Sequence, residues 1–243
     1  MLDIPIEDLI SLIVVIIAVI INLIVGIKSY KSYRQNPLIQ TLIFGTAAFL
    51  IAFSMLFLVT EKLFLSAMIQ NGDLGMLFGL IAITCSAGAL TFLDIFAFNM
   101  VFPNKYKLLT LGSAIIAAIY LVFWYADPSR AIGWGPDGSG EIVLSDLTTW
   151  ISYFTLAPLL LIPVGVFYYY ALKVRKKSPI SSKRSVTLGS GILVLTVGYI
   201  IEIAGLDPSI LPIAPIINII GRTLFIFGAL LLYWGLFRIK AKT

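Results

Sequence analysis

Residues 9–27 read LISLIVVIIAVIINLIVGI, a stretch in which a serine and an asparagine are the only polar side chains. A helix needs about 20 apolar residues to cross the hydrocarbon core of a bilayer, because each residue advances it by about 1.5 Å. The stretch therefore predicts a membrane-spanning helix. Asp3, Glu7 and Asp8 precede it where a cleavable signal peptide carries basic residues, so we expect it to be retained as the first helix.

Six more stretches of similar length and hydropathy follow along the chain. Turn signals such as QNP at 35–37 and GLDPS at 205–209 separate them. With 60% hydrophobic and 12% charged residues, the chain is too apolar for a soluble domain. We therefore predict an all-α polytopic membrane protein, a seven-transmembrane-helix bundle that forms a single domain over residues 1–243. The helices are expected at residues 9–27, 38–60, 74–101, 107–126, 147–172, 185–205 and 212–237.

The basic residues predict how the bundle is oriented. Fourteen of the 17 lysines and arginines flank one side of the predicted membrane, whereas Lys62 and Arg130 flank the other. Because lysine and arginine accumulate in cytoplasmic connections, the amino terminus is expected outside and the carboxyl terminus in the cytoplasm of a multi-pass cell-membrane protein.

The connection KVRKKSPISSKR at 173–184 carries the densest positive charge. Such a segment attracts anionic lipid headgroups at a membrane surface, although the same residues also suffice as an orientation signal. No basic domain with interleaved aromatics lies outside the predicted helices, so we do not expect nucleic-acid binding. The predicted membrane-surface patch consists of Lys173, Arg175, Lys176, Lys177, Lys183 and Arg184.

Three ionisable residues fall inside predicted helices: Asp94, Glu202 and Arg222. Each is costly to place in lipid and is expected to face the bundle interior. The predicted helix ends put Glu202 and Arg222 in the outer half of the bundle, with Asn218 one turn before Arg222 on the same face, whereas Asp94 lies roughly 10 Å deeper. These residues predict either a ligand, ion or proton site, or a buried ion-pair network that fixes helix register.

Small residues suggest where helices approach one another. Gly191 and Gly198 share a face of the sixth predicted helix with Glu202. They leave a groove that a neighbouring helix or a small ligand would fill.

Several classes of site are disfavoured by what the sequence lacks. The chain has no histidine and a single cysteine, Cys85, which removes the commonest general base and the usual metal ligands. We expect no enzymatic activity and no metal or other cofactor.

In topology the chain resembles seven-helix receptors and microbial rhodopsins. It lacks the motifs of both: the third predicted helix ends LDIFAFNMVFP at 93–103 without an acid-arginine-tyrosine signature, and the last, at 212–237, has neither an Asn-Pro-x-x-Tyr pattern nor the lysine that would bind retinal.

Two functions remain open. The first is a non-enzymatic sensor or small-molecule-binding protein with a polar pocket in the outer half of the bundle. Since the connections on the basic side are short, its output would need a cytoplasmic protein partner. The second is a transporter or channel for a small solute, an anion or a proton-coupled substrate, which would use the intramembrane charges.

Overall fold

The computed structural model describes residues 6–135, 138–203 and 214–239. Within these ranges the chain forms seven helices that are long and apolar enough to cross a membrane. This confirms the predicted all-α seven-helix bundle of an integral membrane protein. The elements are α1 Ile6–Gln35, α2 Ile39–Phe64, α3 Gly72–Val101, α4 Tyr106–Ala126, β1 Ala131–Trp134, β2 Gly140–Val143, α5 Asp146–Val174, α6 Pro179–Ile203 and α7 Ala214–Tyr233, which continues as a π-helix over Trp234–Arg238.

Each helix packs against the next in the chain, and α7 closes the bundle by packing against α1. At one end of the bundle, Lys28 Nζ donates a hydrogen bond of 2.8 Å to Tyr233 Oη, which joins the last turns of α1 and α7. We call this the basic end, because α1, α5 and the π-helix finish there with Arg34, Lys173 and Arg238, and Lys105 precedes α4. The opposite end carries the two strands and is called the hairpin end.

The bundle is centred on α3, which packs against α2, α4 and α5. Phe96 of α3 is fully buried and lies between Phe44 of α2 and Phe167 of α5, with ring centroids 5.3 and 5.6 Å away. Large aliphatic side chains such as those of Ile16 and Ile20 point outward from α1. In a bilayer these exposed side chains contact acyl chains.

A β-hairpin that the sequence did not predict covers part of the hairpin end. Its strands pair antiparallel, from Ala131 with Val143 to Trp134 with Gly140. The amide of Gly140 donates to the carbonyl of Leu65 at 2.7 Å, and the Ile142 side chain occupies the space where a Cβ of Gly79 would lie. The hairpin is therefore attached to the α2–α3 turn.

Two helices begin or end away from their predicted bounds at the basic end. α6 starts at Pro179, six residues before the predicted start, so that Lys183 and Arg184 lie inside the helix. α1 continues to Gln35 and includes Lys28, Lys31 and Arg34 in its last turns. Proline suits the first helical position because it lacks an amide hydrogen that would be unpaired there. α5 continues through both Pro158 and Pro163.

Candidate functional site

The structure places the four predicted site residues on three helices. Arg222 lies on α7, eight residues from the helix start and half-buried, and Asp94 lies on α3 with no exposed surface. Positions 202 and 218 belong to α6 and α7, but the side chains of Glu202 and Asn218 lie outside the described part of the structure.

The helices that carry Arg222 and Glu202 are in close contact. A Cβ placed on Gly198 of α6 would lie 2.7 Å from the carbonyl oxygen of Gly221 on α7. Gly221 immediately precedes Arg222, and position 202 follows Gly198 by one helical turn. Leu232 of α7 lies in the same way against Gly191. The small-residue face of α6 is therefore filled by a neighbouring helix, the first of the two occupants expected from the sequence.

Asp94 lies on the face of α3 that packs against α4 and α5 and that also contacts Tyr199 of α6. It shares the face of α3 with Leu90 and Ala87, which pack in a cluster against α4 and α5. The polar side chain that approaches its carboxylate is Ser113 of α4. Within the described residues neither carboxylate oxygen of Asp94 has a hydrogen-bond partner, so the structure does not join Asp94 to Arg222 by a hydrogen bond.

Two hydroxyl groups accompany this carboxylate on α4. Ser113 Oγ is buried without a hydrogen-bond partner, and so is Thr110 Oγ1. Thr110 lies three residues before Ser113 and therefore on the same side of α4, one turn nearer the basic end. Asp94, Thr110 and Ser113 form a group that we call the Asp94 cluster. The sequence pointed to Asp94 but not to the two hydroxyls.

A second polar group lies nearer the middle of the bundle. Ser86 Oγ of α3 donates to Tyr199 Oη of α6 at 3.0 Å, and the buried Tyr120 of α4 also interacts with Tyr199. Ser86 precedes Asp94 by eight residues and shares its face of α3. Leu90 lies between them, so an apolar turn separates this group from the Asp94 cluster.

The basic end holds the last turns of α7 through two cations. Lys28 Nζ donates to Tyr233 and lies 4.8 Å from the centre of its ring. Arg184 Nη2 donates to the carbonyl of Leu236 at 3.3 Å. This carbonyl belongs to the π-helix, whose wider turn leaves backbone groups outside the regular α-helical pattern.

The predicted basic patch divides into exposed residues and one packed residue. Lys173, Arg175, Lys176, Lys177 and Lys183 are exposed, whereas Arg184 is half-buried against α7. Five of the six residues are therefore available to a membrane surface.

A groove between α1 and α2 opens beside the basic end. It has a volume of about 430 Å³ and is lined by Ile27, Tyr30, Lys31, Arg34 and Phe49. The Arg34 guanidinium lies 5.3 Å from the centre of the Tyr30 ring. The groove thus has an apolar floor and two cations at its rim.

At the hairpin end, Asp127 organises the start of α5. Its carboxylate accepts hydrogen bonds from the amides of Ser129 and Ser145 and from the Ser145 hydroxyl, each at 2.9 Å. Burial disfavours the charged form, but the hydrogen bonds outweigh burial and lower the pKa of Asp127 to about 2. Ser145 in turn caps α5 by accepting from the Thr148 amide.

No group of three metal-ligating side chains occurs among the described residues. No known family model matches the chain, and a comparison with curated proteins likewise finds no match.

Proposed function

We propose that the protein is a non-enzymatic sensor or small-molecule-binding protein of the cell membrane. Its amino terminus faces outward, and its ligand binds in the outer half of the bundle at Arg222, Glu202 and Asn218. The observation that carries this proposal is the course of α7, which starts beside these positions and ends at the contacts with Lys28 and Arg184. A displacement of α7 at one end is therefore transmitted along the helix to its other end.

The contact between α6 and α7 supports such a route. The close approach of Gly198 and Gly221 leaves no room for α7 to tilt toward α6 without moving it. Closely packed helices shift as rigid bodies and change their contacts in discrete steps. A ligand that pulls on Arg222 is therefore expected to displace the end of α7 from Lys28 and Arg184.

The readout is proposed to be a cytoplasmic protein. At the basic end the connections between helices are short, at 36–38, 102–105 and 175–178. They provide a surface rather than a separate domain. A partner with an acidic surface fits best, because Lys173, Arg175, Lys176 and Lys177 are exposed there.

The test measures the distance between spin labels at Lys31→Cys and Trp234→Cys in a Cys85→Ser background, in lipid nanodiscs. A panel of small anions and metabolites is first screened for compounds that raise the melting temperature. We expect at least one such compound to change the label distance. The change should disappear in Arg222→Leu, while Lys62→Leu, which removes an exposed cation at the same end of the bundle, should retain it.

Two results would reject the sensor. One is a panel without any stabilising compound. The other is a label distance that responds equally in Arg222→Leu. Arg222→Lys keeps the charge and serves as the variant of choice if Arg222→Leu does not fold.

One observation favours a transporter or channel as the second candidate. Ser86, Tyr199 and Tyr120 lie on the same side of α3 as Asp94, and hydroxyl groups of this kind can pass protons. The apolar turn at Leu90 interrupts the row, so we rank transport second. Flux of protons or anions in reconstituted vesicles, lost in Glu202→Gln and Arg222→Leu, would reverse this order.

A further inference from the structure

The Asp94 cluster lies away from the proposed ligand site. Within the described residues, nothing compensates the negative charge of its carboxylate. Asp94 has no exposed surface, and neither of its oxygens accepts a hydrogen bond within the described residues. An ionised carboxylate in an apolar environment requires a counter-charge or hydrogen bonds, because it has lost its hydration. The charge of Asp94 must therefore be neutralised by something that binds to it.

The two neighbouring hydroxyls depart from the pattern of this bundle. Thr46, Thr60, Thr84 and Thr91 each donate to the carbonyl oxygen four residues earlier in their own helix. Thr110 Oγ1 makes no such bond, and neither does Ser113 Oγ. Neither hydroxyl has a hydrogen-bond partner at normal geometry, although the Ser113 hydroxyl lies near the Asp94 carboxylate. Helix α4 therefore brings Ser113 to Asp94, and a second hydroxyl without a partner, that of Thr110, lies three residues earlier in the same helix.

The other elements packed on α3 do not supply the missing charge. Their ionisable groups interact elsewhere or lie near the end of an element. Five tyrosines interact elsewhere: Tyr168 with Ser190, Tyr169 with Phe102, Tyr120 with Tyr199, Tyr125 with Thr84 and Tyr153 with Trp150. Within a few residues of the end of an element lie Glu61, Lys62, Lys105, Tyr106, Lys107, Glu141, Asp146, Tyr170 and Lys173. In the part of the chain that the structure describes, none of them donates a hydrogen bond to Asp94.

We propose that Asp94, Ser113 and Thr110 form a binding site for a small monovalent cation, a proton or Na⁺. One carboxylate balances one positive charge, whereas a divalent ion would leave a net charge in the apolar interior. A proton binds to the carboxylate itself and lets it donate to Ser113. Na⁺ uses the carboxylate and both hydroxyl oxygens, which are the hard ligands that such a cation prefers.

The position of the cluster indicates which end of the bundle is nearer and what the cation does. Asp94 lies seven residues before the end of α3, Ser113 seven residues after the start of α4, and Thr110 between Ser113 and the basic end. The basic end is therefore nearer to the site than the hairpin end, and Thr110 lies on that side of it. Once bound, it joins α3 to α4, so its occupancy sets how firmly these helices pack.

The test uses the purified full-length chain in detergent, with the melting temperature as the readout. In the first arm Na⁺ replaces choline at constant ionic strength and fixed pH. In the second arm the pH is varied without Na⁺. If a cation binds the folded state alone, each tenfold rise in its concentration above the dissociation constant raises the folded-to-unfolded ratio about tenfold. A response in the first arm identifies Na⁺, and one in the second identifies a proton.

Variants separate this site from general effects of salt and pH. Asp94→Asn should abolish the response, whereas Asp73→Asn, which removes a carboxylate at the other end of α3, should keep it. Ser113→Ala and Thr110→Val should weaken the Na⁺ response and leave the proton response in place.

A wild-type chain that responds in neither arm would overturn the proposal, as would an unchanged response in Asp94→Asn. If Asp94→Asn does not fold, Ser113→Ala and Thr110→Val decide the Na⁺ arm. The proton arm is then decided by infrared spectroscopy of the wild type, which detects the band of a protonated buried carboxyl group. Absence of this band at every pH would reject the proton as the bound cation.

Discussion

Gly198 of α6 and Gly221 of α7 approach so closely that a Cβ on Gly198 would lie 2.7 Å from the backbone oxygen of Gly221. A backbone atom cannot move aside as the tip of a side chain can, so any larger residue at 198 must separate the two helices. Helices in membranes associate chiefly through such close packing, because lipid is as apolar as the side chains themselves.

Gly198→Ala is therefore expected to lower the stability of the bundle by about 1–3 kcal/mol, the usual cost of overpacking. Thermal unfolding in detergent micelles measures this loss. Gly165→Ala is the matched control, since nothing lies within 4 Å of a Cβ at that position. It should leave the melting temperature unchanged or slightly higher, because alanine favours a helix. Equal losses in the two variants would show that the α6–α7 contact is not the cause.

Asp127 gives the hairpin end a defined dependence on pH. The amides and hydroxyl that bind its carboxylate, against the opposing effect of burial, lower its pKa to about 2, from an ordinary value of about 3.9 in an unfolded chain. Because the folded state holds the charged form more tightly, the stabilisation is complete above about pH 4 and is lost as the pH falls through about 2.

Comparison of the wild type with Asp127→Asn tests this dependence. The wild type should melt at a higher temperature at pH 6, and the difference should shrink steadily between pH 4 and pH 2. A difference that stays constant down to pH 2 would mean that the charge of Asp127 does not stabilise the start of α5.

The sequence predicted the helices well because each required only a long apolar stretch. It failed where polar residues continue a helix beyond that stretch. The segment SPISSKR at 178–184 is too polar for hydropathy to include, yet Pro179 begins α6 and the Ser181 amide donates to the Ser178 hydroxyl. Proline and capping serine were the available signals. The hairpin was missed because strands of four residues are too short to show a clear alternation.

The candidate sites were predictable only in part. The cost of placing charge in lipid singled out Asp94 and Arg222 from the sequence alone. It gave no information on which helix faces meet, and the structure directs Asp94 toward α4 rather than toward α7. The sequence did not indicate Thr110 and Ser113 as site residues, because hydroxyl groups in a helix commonly donate hydrogen bonds to their own backbone. Whether Arg222, Glu202, Asn218 and Asp94 bind a ligand or form an ion-pair network stays a prediction.

Lys28 and Tyr233 provide a separate test of how α7 is held at the basic end. Tyr233→Phe removes the hydrogen bond but keeps the ring below the ammonium group, whereas Lys28→Met removes both interactions. Each interaction contributes a small part of the stability, because the pair is exposed to solvent. The loss in melting stability should therefore be larger for Lys28→Met. A double-mutant cycle measures the coupling, and additive losses would contradict a direct interaction.

The groove between α1 and α2 predicts a preference for anionic lipid. Ile27 and Phe49 offer an apolar floor for an acyl chain, and Lys31 and Arg34 at the rim offer two cations to a phosphate. Native mass spectrometry of protein extracted from mixed phosphatidylglycerol and phosphatidylcholine vesicles should detect retained phosphatidylglycerol. The retention should fall severalfold in Lys31→Gln/Arg34→Gln. Lys176→Gln/Lys177→Gln removes the same charge from the α5–α6 connection and serves as the control. An equal fall in both double variants would contradict a specific lipid site in the groove. It would show that retention depends on the overall charge of the basic end.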